Sequence, residues 1–186
     1  MLRGVIFDFD GVLVDSEPAH FESFRLVLAA HAGFEISFAE YVEWYLGLDD
    51  HACFRAVLER HGQPAEPGRV SDLASQKGEA FAEILPTIPL MPGARDLVVS
   101  LANAAVPVAI ASGARRHEIE TVLRSRDLLD GFRGIVSADD VENSKPHPEP
   151  YLHACALVGL SDPRHGVVSI EDSPTGLASP GRPASG

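Results

Sequence analysis

The reading of this chain turns on its start, Gly4-Val5-Ile6-Phe7-Asp8-Phe9-Asp10-Gly11-Val12-Leu13-Val14-Asp15. Four apolar residues run straight into two acids separated by one residue. A run so short and continuous suits a strand buried on both faces of a parallel sheet. Alternation puts Asp8 and Asp10 on the same side of the extended chain, and Gly11 lets the backbone turn away. Two carboxylates that close repel, so they need a cation or a shared proton to coexist. One can bind Mg²⁺ and attack a phosphorus while the other, partly protonated, serves as acid and base. A helix cap or turn made by the same acids is the plainer alternative. It is disfavoured because two acids directly after a buried strand are costly unless used.

Three further apolar runs follow, at 106–111, 134–137 and 166–170, with helical patterns at about 93–104, 114–126 and 148–159 between them. Strand and helix in alternation read as an α/β doubly wound parallel core. From 16 to 88 the pattern is helical only. Phe21, Phe24, Leu28 and Ala32 share one helix face. Ser37-Phe38-Ala39-Glu40 is a capping-box pattern. Phe54, Val57, Leu58 and His61 mark a third helix, and Leu73, Lys77, Phe81 and Leu85 a fourth. The expected organisation is a core of 1–15 and 89–186 with an α-helical cap, 16–88, inserted at the sheet's carboxyl edge.

The other strands also end in chemically useful residues, where open α/β sheets bind their ligands. Ser112-Gly113 offers a hydroxyl and a permissive backbone near a helix N-terminus, which suits a phosphate oxygen, although Ser-Gly is also an everyday turn. In Ser144-Lys145-Pro146-His147-Pro148 two prolines stiffen a loop presenting one lysine, whose ammonium can neutralise a carboxylate and a phosphate; a solvated surface lysine is the equal alternative. Glu171-Asp172-Ser173 is a second acidic pair, and oxygen-only ligands suit Mg²⁺.

Composition bounds the partners. The 186 residues carry 27 acidic and 15 basic side chains, a net charge of −12, and 45% are hydrophobic. That apolar fraction excludes wholesale disorder, and no apolar run approaches the roughly 18 residues of a bilayer span. The acidic balance argues against nucleic acid as a partner, and the N-terminus does not read as a signal peptide. Two cysteines, Cys53 and Cys155, make no disulfide framework, so the expected compartment is the cytoplasm. A monomer is expected. The histidines lack zinc-ligand spacing, and Trp44 and Tyr45 read as packing.

Asp-x-Asp, Ser, Lys-Pro and Glu-Asp, each after its own strand, resemble the motifs of the haloacid dehalogenase (HAD) superfamily, from residue 1 to about 178. The likeness is to the group with β-phosphoglucomutase and small sugar-phosphate phosphatases, whose helical cap follows the first motif and whose core is Rossmann-like. The resemblance implies Asp8 as nucleophile forming an aspartyl-phosphate, and Asp10 as acid/base lending its carbonyl to Mg²⁺. It gives Ser112, Gly113 and Lys145 the phosphoryl group, and Asp172, with Glu171, the metal. Because dehalogenases of the family lack the second aspartate, phosphoryl transfer to or from a small phosphorylated metabolite is expected.

His20 and Lys77 stand where β-phosphoglucomutase-like proteins place polar residues facing the cleft; a helix-surface position is the alternative for each. Mutases of the group carry an arginine in the cap loop that here reads Gly47-Leu48-Asp49-Asp50-His51. Two acids there would repel a bisphosphate by roughly a few kcal/mol at contact, so a phosphatase is expected ahead of a mutase. The family's fold continues past Glu-Asp-Ser with a full helix and another strand, whereas here Pro180-Gly181 and Pro183 interrupt the helix expected from Pro174. Loss of one G from a GC-rich coding stretch for Ala-Ser-Ala-Arg-Ala-Ala-Gly-Leu-Arg yields Ala-Ser-Pro-Gly-Arg-Pro-Ala-Ser-Gly, the residues at 178–186. A frameshifted, inactive or unstable product is therefore a third expectation.

Overall fold

The computed structural model describes residues 2–160 and 166–178. The chain divides into two units, Met1–Ser16 with Pro86–Gly186, and Glu17–Leu85.

The first unit is built on β1 (Gly4–Phe7), β2 (Val108–Ala111), β3 (Ile135–Val136) and β4 (Val167–Ile170), all parallel, in the order β3-β2-β1-β4. Parallel neighbours need crossovers. These are α5 (Ala94–Asn103), α6 (Arg116–Ser125) and α7 (Glu149–Leu157), matching the predicted alternation to within a few residues. A last helix, α8, covers Pro174–Ala178; residues 179–186, on which the frameshift expectation rests, lie outside the described residues. Ile6, Ala109, Ala111 and Val136 turn to one face and pack with Tyr151, Ala154 and Cys155 of α7. The period of two sends Val5, Phe7, Val108 and Ile110, also buried, to the other face.

One strand is less covered than the others. β1 and β2 are buried throughout, but β4 is only partly so, and Val168 is 49% exposed. β1 lies between two strands, whereas β4 pairs only with β1 in the described sheet. A strand with one neighbour cannot be covered as a central one is.

The second unit consists of α1 (Glu17–His31), α2 (Phe38–Trp44), α3 (Asp50–Arg60) and α4 (Pro67–Ile84). Its core gathers Phe24, Leu28, Tyr45, Phe54, Val57, Leu58 and Leu73, with the Phe24 and Phe54 rings 4.5 Å apart. Burying each such ring contributes about 2 kcal/mol. Ser37 caps α2 as the sequence predicts, its Oγ accepting the Glu40 N–H at 3.1 Å. Tyr45 is buried as expected, but Trp44 is not core: it is 48% exposed, with the Arg60 guanidinium 4.1 Å above its ring.

Candidate active site

β1 delivers Asp8 to the carboxyl edge of the sheet, where its N–H still pairs with the Ile170 carbonyl at 3.0 Å. The chain then turns back tightly, Leu13 and Val14 N–H both donating to the Phe9 carbonyl. Gly11 makes the turn with φ +70°, and a Cβ on it would overlap Oδ2 of Asp172. The first and last motifs are therefore in contact. Asp10 accepts a hydrogen bond from Ser16 Oγ at 2.6 Å.

Lys145 joins the same two motifs. Its Nζ lies 2.9 Å from Asp8 Oδ1 and 2.6 Å from Glu171 Oε1. It is not a solvated surface lysine, since its side chain is only 11% exposed. Ser112, at the end of β2, is buried, its N–H donating to Val136 O at 2.9 Å and its Oγ accepting the Ala114 N–H at 3.0 Å. Gly113 beside it is exposed, and a Cβ there would meet nothing within 4 Å.

Burial pushes the Asp8 carboxyl up to about 6, against the opposing pull of Lys145, and the nearby Glu171 charge adds to the rise. Glu171 goes the other way. Burial alone would raise it, but hydrogen bonds from Lys145 and Tyr151 bring it down to about 2. A single ammonium thus serves two carboxylates, and burial is what raises Asp8.

Carboxylate oxygens of Asp8, Glu171 and Asp172 lie within 4.8 Å of one another. Three acids, oxygen donors only, against one lysine make a site suited to a small hard divalent cation. A cation held there would favour the charged form of Asp8. Among the described residues this is the one grouping of three candidate metal ligands.

His20 and Lys77 meet each other in the second unit. Lys77 Nζ is 2.9 Å from His20 Nδ1 and 2.9 Å from Asp50 Oδ1, and it lies over the Phe81 ring on which His20 stacks. At 5% exposure Lys77 is no surface lysine. The acidic loop before α3 is also less repulsive than its sequence implies. Asp50 is paired with that ammonium, and Asp49 is spent as the N-cap of α3, accepting the Ala52 N–H at 2.9 Å.

Two contributors escaped sequence reasoning. Tyr151 OH donates to Glu171 Oε1 at 2.6 Å, yet in sequence it is one apolar-face residue of a crossover helix. Ser173 looks in sequence like no more than the end of a motif, and its N–H and Oγ both donate to Glu171 Oε2. The Lys-Pro loop four to six residues before Tyr151 was the available signal, since a helix that starts there must aim its first turn at the lysine.

Residues 5–182 match the family described as haloacid dehalogenase-like hydrolase. The chain belongs to that family. It is 35% identical over 177 residues to hexitol phosphatase B of Escherichia coli strain K12, an alignment covering 95% of this chain and 78% of that protein. It is 32% identical over 186 residues to a phosphorylated carbohydrates phosphatase of Thermotoga maritima, covering 95% and 79%. A haloacid dehalogenase family hydrolase from Deinococcus radiodurans, solved with bound phosphate and sodium, aligns with a TM-score of 0.76 at 28% identity, covering 96% of this chain and 78% of that one. This haloacid dehalogenase-like chain is accordingly an enzyme of the hydrolase class with a parallel α/β core. No helix among its described residues is long and apolar enough to cross a membrane.

Proposed function

We propose that this hydrolase is a Mg²⁺-dependent phosphatase of small phosphorylated carbohydrates that works through an aspartyl-phosphate on Asp8. The observation that carries the reading is Asp8 itself: a buried carboxylate at the end of β1, held by Lys145 and within reach of Glu171 and Asp172. The relatives named as phosphatases of hexitols and phosphorylated carbohydrates support the substrate class.

Asp8 attacks the phosphorus, and the bond to the sugar oxygen breaks as Asp10 donates its proton to that oxygen. Asp10, now a carboxylate, takes a proton from water as the water attacks the aspartyl-phosphate; the P–O bond to Asp8 breaks and inorganic phosphate leaves. Lys145 and Ser112, beside the flexible Gly113, hold the phosphoryl oxygens, and placing donors where charge develops is the largest contribution in such reactions. Asp8, Asp172 and the Asp10 carbonyl would hold Mg²⁺, with Glu171 beside them; bound there, the ion neutralises phosphoryl charge. His20 and Lys77 are assigned to substrate choice in the cap. Two cysteines that form no disulfide framework support a cytoplasmic enzyme.

Hydrolysis of a panel of sugar phosphates with Mg²⁺, run beside Asp8→Asn, tests this. The variant should lose at least about a thousandfold in kcat; undiminished activity overturns the reading. With Asp50 paired, the charge argument against a bisphosphate is weak, so the mutase alternative is tested directly. Incubation with β-glucose 1-phosphate and a trace of its 1,6-bisphosphate should release inorganic phosphate faster than it forms glucose 6-phosphate, and the reverse order makes the enzyme a mutase.

A further inference from the structure

The Glu171 side chain has no exposure to solvent, and four donors converge on its two oxygens. Oε1 accepts from Lys145 Nζ and from Tyr151 OH, both at 2.6 Å; Oε2 accepts from Ser173 N–H at 3.1 Å and Ser173 Oγ at 3.0 Å. An ionised carboxylate has about four lone-pair sites, so the protein occupies them all. Asp8 and Asp172 remain as the carboxylates placed to meet a cation, and Glu171 becomes part of their support.

Tyr151 is the one donor of this set that belongs to none of the motifs. It sits in the buried face of α7, and its ring lies 5.2 Å below the Lys145 ammonium while its hydroxyl reaches Glu171. One side chain thus touches both members of the ion pair. Lys145 is bonded in turn to Asp8 Oδ1 at 2.9 Å, so whatever shifts Glu171 shifts the group beside the nucleophile.

We propose that Tyr151 is a positioning residue for this site: its hydroxyl orients Glu171, which sets Lys145 on Asp8 and aims the Glu171-Asp172 turn at the cation. The inference rests on the reading of Asp8 as nucleophile and extends it. Without the hydroxyl, an open lone pair on Oε1 draws Lys145 away from Asp8 or turns toward the metal. The ring would still fill its place in the α7 core, so Tyr151→Phe separates positioning from packing.

Mg²⁺ binding by calorimetry, steady-state hydrolysis and thermal melting of the full chain form the test. Tyr151→Phe should weaken Mg²⁺ binding and lower kcat by about tenfold each, the usual size of a lost supporting contact. KM should change by less than about twofold. Glu171→Gln is the second variant: if Tyr151 acts through Glu171, adding Tyr151→Phe to it should change kcat by less than about twofold. Unchanged Mg²⁺ affinity and kcat in Tyr151→Phe, with or without a lower Tm, overturn the proposal, as does a full multiplicative loss in the double variant. If the unsubstituted enzyme hydrolyses no phosphomonoester yet Tyr151→Phe weakens Mg²⁺ binding, the positioning role stands and the phosphatase reading falls.

Discussion

Gly11 and Asp172 are packed so closely that a Cβ on the glycine would clash with Oδ2 of the aspartate. The glycine also holds φ +70°, where an L-residue is strained. Two constraints from opposite ends of the core therefore meet at one backbone position.

Gly11→Ala must displace Asp172 or open the turn that Leu13 and Val14 close on Phe9. We expect a stability loss of about 1–2 kcal/mol from the backbone alone. The displaced carboxylate should weaken Mg²⁺ binding by about tenfold or more. Urea unfolding and calorimetric Mg²⁺ titration of the variant check the two separately.

Lys145→Ala leaves two carboxylates without their shared ammonium, and the Glu171 side chain has no access to water. Removing one partner of a buried pair typically costs about 3–5 kcal/mol. Asp8 retains some exposure, so the lower end of that range is expected. Hydrolysis should fall with it, because the phosphoryl group loses a donor. A variant that melts as the parent does would show that Glu171 finds another partner.

Much of this site could be read before its geometry was known, because parallel strands end in their functional residues and each motif is local. Asp8, Lys145, Glu171 and Asp172 sit at strand ends or in a proline-stiffened loop, where a single strand pattern predicts their placement. What stayed hidden depends on partners distant in sequence. Asp50 read as a repulsive acid because nothing near it announces Lys77, one helix away and buried. Tyr151 carries no signal of its own in the sequence, because a phenol and a phenyl look alike in a periodic pattern. The composition of the β4 run does not by itself tell an edge strand from a central one; the exposure of Val168 goes with the one-sided pairing of β4 in the described sheet.

That edge carries its own expectation. Val168 is 49% exposed on a strand paired on one side in the described sheet, the kind of strand that associates with other chains. Val168→Lys should change folding stability by less than about 0.5 kcal/mol and raise the concentration at which the protein stays dispersed. Light scattering against concentration checks this, and equal association by both proteins would place the sticky surface elsewhere.

The helical unit supplies a pH dependence through His20. Burial, with the Lys77 charge beside it and only partial relief from Asp50, holds its imidazole down at about 4. The unfolded chain takes up that proton near 6.5. Between those values the unfolded state binds more protons than the folded state, so stability falls as pH drops from 6.5 toward 4 and is unaffected by this group above 6.5. The full effect is roughly 3 kcal/mol. His20→Gln removes the titration while keeping a polar side chain, so its stability relative to the parent should rise between pH 6.5 and pH 4.5. Lys77→Met should act in part the same way, because taking away the ammonium lets His20 titrate nearer its usual value; its imidazole signals in a histidine NMR titration should move up in pH. Urea unfolding of parent and His20→Gln at pH 7 and pH 5 decides the matter: the two must diverge at the lower pH, and parallel curves would mean that His20 accepts its proton in the folded cap without cost.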